Sequence, residues 1–269
     1  MIVQKYWLDA AKSIKKAVLG QKQVCLQNHS FRLTYESRKA RDDRDYPFLV
    51  KLAQGKKCIF DVGANHGITA LLMASAMSNT GQLYAFEASE KACQIIQENA
   101  QLNQLTEQIQ IVNAVLAERS GITLDFYWSE ASGGASILYN YLGHIRPLQK
   151  ITLALGDFVA QTGVSPELIK IDVEGAERRV LAGCQQMMRK ASPTIFLELH
   201  SWQEMSLVDN AQLILNDLAG VDYKMIYLRT KEIVQDASCF AERGRCHVIL
   251  MPNERPLPEW LPQANTENI

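Results

Sequence analysis

Five polar side chains end five consecutive apolar stretches of this sequence: Asp61, Glu87, Asn113, Asp172 and Glu198. A strand that is buried on both faces has no structural use for a carboxylate at its end. In an open parallel sheet, ligands bind in the crevice outside the carboxyl ends of the strands. The five residues therefore predict a ligand site along one edge of a sheet.

The turn DVGANHG, residues 61–67, lies between the first of these strands and a helix. Gly63 allows a sharp turn, and we expect Gly67 to let a ligand approach the start of the helix. The turn lacks the middle glycine of the dinucleotide pattern G-x-G-x-x-G, and Asp61 would repel a pyrophosphate. The sulfonium and ammonium groups of S-adenosylmethionine reverse that sign, so Asp61 favours this ligand. An NAD-dependent oxidoreductase remains the alternative.

Glu87 ends the second apolar strand, 24 residues after Gly63. A carboxylate in this position can accept hydrogen bonds from both hydroxyls of a ribose. NAD enzymes share this feature. Glu87 therefore predicts a nucleoside ligand without naming it.

The string DVEGAE, residues 172–177, follows the fourth strand. We expect only one of Asp172 and Glu174 to face the site at first. Gly175 would then open a helix, and Glu174 or Glu177 could instead complement the dipole at its N-terminus.

Short apolar strands alternate with helical patterns from Lys57 onwards. The strands are predicted at 58–62, 82–87, 109–115, 168–173, 194–199, 223–228 and 247–251, and the helices at about 66–78, 90–102, 175–190 and 208–219. This alternation predicts an α/β fold whose mostly parallel sheet carries helices on both faces. The stretch 122–153 is looser, with one extra strand (ITLDFYW), and suits an insertion over the sheet edge.

Residues 1–56 read as a separate extension before a domain at 57–269. Its first 19 residues predict an amphipathic helix, and a hairpin follows around Asn28-His29. Residues 1–57 carry 13 basic against 5 acidic residues, and the other 212 carry 15 against 24, so charges of +8 and −9 give the net −1. We expect the basic extension to dock on the acidic body or on a homodimer partner. The alternative is a binding scaffold of the same fold that uses this extension on nucleic acid or a membrane.

The N-terminus lacks the pattern of a signal peptide, and no apolar stretch reaches the ~20 residues of a membrane span. The six cysteines form no CxxC pair, so we expect reduced thiols and a cytoplasmic protein.

The strings FDVGANHG, YAFEAS, LIKIDVEGAERRVLAG and TIFLELH together resemble the FkbM family of S-adenosylmethionine-dependent methyltransferases, over about residues 57–200. The resemblance implies a class I methyltransferase, with a Rossmann-like seven-stranded sheet whose last strand is antiparallel. It also implies O-methylation of sugars, glycolipids or polyketide-like metabolites. The implied cofactor residues are Asp61, Gly63, Asn65 and Gly67 for the methionine part, Glu87 for the ribose, Asn113 and Ala114 near the adenine, and Asp172 beside the sulfonium. The third strand offers no acidic residue for the adenine amine, so backbone, Ser120 or Glu118 would have to serve it.

Glu198 and His200 lie two residues apart and therefore on one face of the fifth strand. A hydroxyl that accepts a methyl group must lose its proton, and His200 is the first candidate for the base, ahead of His66 and His144. We expect it to titrate near its ordinary pKa of about 6.5. A structural histidine at a strand end is the alternative. Asp172, Glu198 and His200 could also bind a divalent cation, so metal dependence stays open.

Overall fold

The structure is a computed structural model that describes residues 20–128, 135–136 and 147–261. The predicted helix at 1–19 lies outside these residues. The strands are β1 Lys22–Leu26, β2 His29–Leu33, β3 Cys58–Val62, β4 Gln82–Glu87, β5 Ile109–Asn113, β6 Val115–Leu116, β7 Thr123–Trp128, β8 Ala135–Ser136, β9 Leu148–Leu153, β10 Leu168–Ile171, β11 Thr194–His200, β12 Tyr223–Tyr227, β13 Glu232–Ile233 and β14 Arg245–Pro252. The helices are α1 Tyr46–Ala53, α2 Ile68–Ala76, α3 Glu90–Leu102, α4 Leu155–Thr162, α5 Glu177–Ala182, α6 Gln185–Ala191 and α7 Leu207–Ala219, with a 3-10 helix at Ala237–Phe240.

The central sheet has the strand order β13-β12-β14-β11-β10-β3-β4-β5. Strands β11, β10, β3, β4 and β5 pair in parallel, whereas β14 runs antiparallel between β11 and β12. This order confirms the predicted seven-stranded sheet with an antiparallel last strand. The two-residue β13 adds an eighth strand at the edge.

Helices cover both faces of this sheet. Because side chains alternate along a strand, each central strand presents apolar side chains to both layers of helices. Ile59 and Phe60 are neighbours on β3 and both are fully buried, yet they belong to two different apolar clusters. A strand that is apolar on both faces is typical of a central position in a parallel sheet.

One helical expectation was wrong, and the helices α1 and α4 were not predicted. The helix predicted at 175–190 is two helices, α5 and α6, with Gly183 between them. A Cβ on Gly183 would lie 2.3 Å from the carbonyl oxygen of Ala117, so the break follows from a contact with a distant segment. Helix α1, with Pro47 in its first turn, was not predicted, and its Leu49 and Leu52 are buried in the core.

The hairpin β1–β2 packs on the same core as the sheet. Leu26, Phe31 and Leu33 are buried in the cluster that contains Ile59. Asn99 of α3 accepts a hydrogen bond from the Thr34 backbone at 2.9 Å. Residues 20–56 thus share a core with the residues that follow, and a domain boundary at 56 stays a prediction.

The segment between β5 and β10 forms a second small sheet in the order β6-β9-β7-β8, which includes the predicted strand ITLDFYW. Within the described residues, no helix has the length and apolar character needed to cross a bilayer.

Candidate functional site

Asp61 ends β3 and is completely buried. Its Oδ2 accepts a hydrogen bond from the Thr69 hydroxyl at 2.8 Å, and its Oδ1 lies 3.4 Å from Nζ of Lys170. Burial raises the pKa of Asp61, while Lys170 and Thr69 oppose that rise. Asp61 is therefore already paired, and its charge argues less strongly against a pyrophosphate than the sequence indicated.

Lys170 is a charged residue of the candidate site that the sequence analysis missed. It lies within the four-residue strand β10, and its ammonium also contacts the Gly63 carbonyl at 3.2 Å and Asp172 at 3.3 Å. Although burial opposes the charge, Asp172 and Asp61 raise the pKa of Lys170. With both carboxylates ionised, this corner would carry two negative charges against the one positive charge of Lys170. The signal was a lysine inside an apolar strand, where an unpaired charge is not tolerated.

The glycines of the turn have different structural reasons. Gly63 has φ +74°, and a Cβ there would lie 1.8 Å from the carbonyl oxygen of Asp172, so the turn packs directly on the end of β10. Gly67 has φ +79°, and a Cβ there would lie 3.2 Å from the side chain of Ile96 in α3. Both positions require glycine for backbone reasons.

Glu87 ends β4 with both carboxylate oxygens engaged. Oε2 accepts from the backbone N–H of Asn65 and Oε1 from that of Ser89, each at 2.8 Å. Burial raises the pKa of Glu87, and these two hydrogen bonds oppose the rise. Glu87 thereby fixes Asn65, which has a φ of +49°, and a carboxylate with about four acceptor positions keeps capacity for a ligand hydroxyl.

Asn113 lies beside Glu87 at the end of β5. Its amide donates to the carbonyls of Glu87 at 2.8 Å and Ala88 at 3.1 Å, and the N–H of Ala114 donates to the Glu87 carbonyl at 3.2 Å. These bonds tie the ends of β4 and β5 together.

The two side chains considered for an adenine amine are engaged elsewhere. Glu118 pairs with Arg179 at 2.7 Å, and the Ser120 hydroxyl donates to Asp157. The backbone remains the third of the predicted alternatives.

Asp172, Glu174 and His200 converge at the carboxyl edge. His200 Nε2 lies 3.8 Å from Asp172 Oδ1 and 3.7 Å from Glu174 Oε2. The expectation that only one carboxylate faces the site was wrong: residues two apart on a strand already share a face, and beyond the end of β10 at Ile171 Glu174 adopts a φ of +52°. This left-handed residue turns its carboxylate back toward the histidine.

His200 is buried and held from its other nitrogen. Its Nδ1 lies 2.8 Å from Oε1 of Glu177, a completely buried carboxylate that also accepts from the Gly175 N–H. Because a carboxylate only accepts, Nδ1 carries the proton. Although burial opposes the charge, Glu177 and then Asp172 raise the pKa of His200 to about 9. The expected titration near 6.5 was therefore wrong.

Glu198 is shared between two histidines. Its Oε1 lies 3.7 Å from His200 Nε2 and 2.9 Å from Arg245, and its Oε2 lies 3.3 Å from His247 Nε2. Burial opposes the charge of Glu198, yet His247 holds its pKa below the ordinary range. His247 in turn contacts Asp45 at 2.9 Å.

Two groups of side chains in the described part of the chain have metal-ligand geometry. They are Asp172 with Glu174 and His200, and Asp43 with Asp45 and His247; in each, one ligand atom per residue lies within 4.8 Å of the others. The first group contains Glu174 in place of the Glu198 expected from the sequence. Lys170 already contacts Asp172, so part of the negative charge that a cation would find is compensated.

The other candidate bases differ in position. His66 lies just before α2, and its backbone carbonyl accepts a hydrogen bond from the side chain of Asn99 in α3. Burial lowers the pKa of His66. His144 lies outside the described residues.

The fold is that of a class I methyltransferase. Its defining features are the strand order of the central sheet, the antiparallel strand β14 between β11 and β12, and the polar residues along the carboxyl edge. The family described as the methyltransferase FkbM domain matches residues 61–224, more than half of the chain. The chain belongs to the FkbM methyltransferase family.

Three solved structures are similar to this chain. The methyltransferase FkbM of Methylobacillus flagellatus KT has 13% identity over 74% of this chain, which spans 44% of that protein's length (TM-score 0.48). Cofactor-bound Rv0187 from MTB has 14% identity, with 81% of this chain and 84% of that one covered (TM-score 0.48). An O-methyltransferase from Bacillus cereus in complex with SAH has 13% identity, with 78% and 81% covered (TM-score 0.45). No curated protein matches the chain.

Proposed function

We propose that this chain transfers a methyl group from S-adenosylmethionine to a hydroxyl of a sugar, glycolipid or polyketide-like metabolite. The observation that supports it best is the convergence of Asp172, Glu174 and His200 beside the turn at Gly63, whose backbone packs on Asp172. A proton acceptor and a ligand turn then share one edge of the sheet, as transfer to an alcohol requires.

The residues fit the cofactor in two respects. Glu87 keeps acceptor capacity for ribose hydroxyls, and the corner of Asp61, Lys170 and Asp172, with both carboxylates ionised, has a net negative charge that suits a cationic ligand. When bound, the cofactor supplies an electrophilic methyl group. We assign its binding to Asp61, Gly63, Asn65, Gly67, Glu87, Asn113, Ala114 and Asp172.

His200 is the proposed general base. In its neutral form it keeps Nδ1–H on Glu177 and turns the lone pair of Nε2 toward the acceptor, whose hydroxyl proton it takes as the oxygen is methylated. Asp172 and Glu174 then stabilise the imidazolium. The raised pKa makes this base strong but mostly protonated at neutral pH, so the neutral fraction grows as the pH approaches 9.

Calorimetric titration of the full chain with S-adenosylhomocysteine and NAD, side by side, tests the proposal. Glu87→Gln is expected to weaken S-adenosylhomocysteine binding by roughly 1.5–3 kcal/mol, the scale of a hydrogen bond to a charged group. Glu107→Gln is the matched control, since Glu107 is exposed and lies on the approach to β5. Binding of NAD with no response to S-adenosylhomocysteine would make the chain an oxidoreductase and sink the proposal.

A further inference from the structure

A cavity of about 260 Å³ adjoins the candidate site at the carboxyl edge of the sheet. Glu198 lines it and is also the carboxylate whose Oε1 lies 3.7 Å from His200 Nε2. The cavity and the proposed reaction site thus share Glu198 as a wall. His247, on the neighbouring strand β14, lies on the cavity side of that wall.

The acidic residues that line this cavity are engaged. Asp42 accepts from the backbone and side-chain nitrogens of Gln27, and Asp43 accepts from the N–H of Asp45 at 2.8 Å. Asp45 pairs with His247 at 2.9 Å. Glu198 pairs with His247 and with Arg245, as described above.

Five basic side chains, four arginines and His247, line this cavity together with four carboxylates. Four arginines line it: Arg44, Arg229, Arg243 and Arg245. Arg44 reaches Asp45 at 3.9 Å, at the outer limit of an ion pair. Within the described residues, the guanidinium groups of Arg229 and Arg243 have no hydrogen-bond or ion-pair partner. The lining of this cavity therefore includes two arginines without such a partner, while Asp42 and Asp43 are held by neutral donors.

We propose that this cavity binds a phosphate or sulfate group carried by the methyl acceptor, so that the acceptor is an anionic molecule. The inference rests on the proposed function, since it names the class of acceptor for the same site. The guanidinium fork matches the geometry of tetrahedral oxyanions and forms strong charge-assisted hydrogen bonds with them.

The size of the cavity agrees with a subsite. Complete ligand pockets occupy about 300–1,000 Å³, so about 260 Å³ suits one charged group with part of the ring that bears it. The hydroxyl to be methylated would lie on the other side of Glu198, beside His200. Arg229 and Arg243 would therefore act as specificity residues rather than catalytic ones.

NMR titration of the full chain, observed at the arginine Nε–Hε groups, tests this inference. Inorganic phosphate, sulfate and acetate are added separately at constant ionic strength in a buffer with EDTA. We expect saturable shifts at Arg229 and Arg243 with phosphate or sulfate, assigned from Arg229→Gln and Arg243→Gln. The double variant should lose about tenfold or more in affinity, because each lost fork removes hydrogen bonds to a charged group.

Arg32→Gln is the matched control for each single variant, since Arg32 is exposed on the hairpin and its loss removes one positive charge, as each of those replacements does. It should change the affinity less than twofold. Equal losses in the control and the double variant, or shifts that never saturate, would overturn the inference. Tighter binding of acetate than of phosphate or sulfate would contradict the tetrahedral group, and binding that appears only without EDTA would contradict the arginines as its cause. The preference between phosphate and sulfate indicates which group the acceptor carries.

Calorimetry with S-adenosylhomocysteine on the same samples separates this inference from the proposed function. If S-adenosylhomocysteine binds and phosphate and sulfate do not, the anionic acceptor is refuted and the methyltransferase proposal stands. If S-adenosylhomocysteine fails to bind, the proposed function itself fails, and any oxyanion site at these arginines would serve another activity.

Discussion

Replacing Glu177 by glutamine is expected to lower the pKa of His200. Glu177 is the carboxylate within hydrogen-bond distance of the ring, at 2.8 Å, whereas the oxygens around Nε2 lie at 3.7–3.8 Å. Glutamine keeps an acceptor oxygen of the same shape but removes the charge. The variant therefore changes the electrostatics of His200 with the least change in packing.

The size of the effect follows from the shift of His200. Its pKa is raised from 6.5 to about 9, a difference of 2.5, and at 1.36 kcal/mol per pH unit this equals about 3 kcal/mol. Glu177 contributes the largest part of the rise, so Glu177→Gln should lower the pKa by about one unit or more, or about 1.4 kcal/mol.

The assay is an NMR titration of the histidine ring protons from pH 5 to 10, with His200 assigned from His200→Gln. Glu204→Gln, at an exposed glutamate, is the control and should leave the titration unchanged. Because the folded pKa lies above the unfolded value, the stability from this proton is complete below about 6.5 and is lost as the pH rises through 9. The free energy of unfolding should fall over that range, and less steeply in Glu177→Gln. A wild-type His200 that titrates near 6.5, or a pKa that Glu177→Gln leaves unchanged, would refute the reasoning.

Three further predictions concern the turn and its ion pairs. Gly63→Ala should lower the free energy of unfolding in urea by more than about 2 kcal/mol, because its Cβ would meet the Asp172 carbonyl. Gly163→Ala is the control: Gly163 also has a positive φ, +72°, but open space around it, so the loss should be about 1 kcal/mol. Lys170→Met should lower the free energy of unfolding by about 3–5 kcal/mol, because it leaves Asp61 buried and unpaired. Adding Asp61→Asn to this variant should restore part of the lost stability. EDTA should leave the calorimetric affinity for S-adenosylhomocysteine unchanged, because Lys170 already compensates Asp172; a large loss would point to a bound metal.

The strands were predictable from the sequence wherever apolar runs end in a polar residue. Strands β3 and β4 have the predicted bounds, 58–62 and 82–87. The break at Gly183 depends on Ala117, more than sixty residues away, and no local pattern contains that contact. Helix α1 carried a signal in Pro47, but its eight residues are too short for a clear period.

The sequence predicted which residues lie at the edge of the sheet, but it did not predict which groups these residues contact. Sequence order placed Asp172 and His200 at strand ends, but it could not show that the lysine of β10 neutralises Asp61 or that Glu177 holds the imidazole. Those pairings depend on the register between strands. The pKa of His200 follows from these pairings, so the value of about 6.5 expected from the sequence was wrong.

The position of β14 has a consequence for folding during synthesis. This strand, Arg245–Pro252, inserts between β11 and β12, which were both made earlier, so those two strands join one sheet only through β14, after residue 252 has left the ribosome. Until then β11 keeps an open edge of unpaired backbone groups, which can pair with another nascent chain. A ribosome that stalls before Arg245 would therefore release a product prone to aggregation, even though every residue proposed to hold the cofactor is already present.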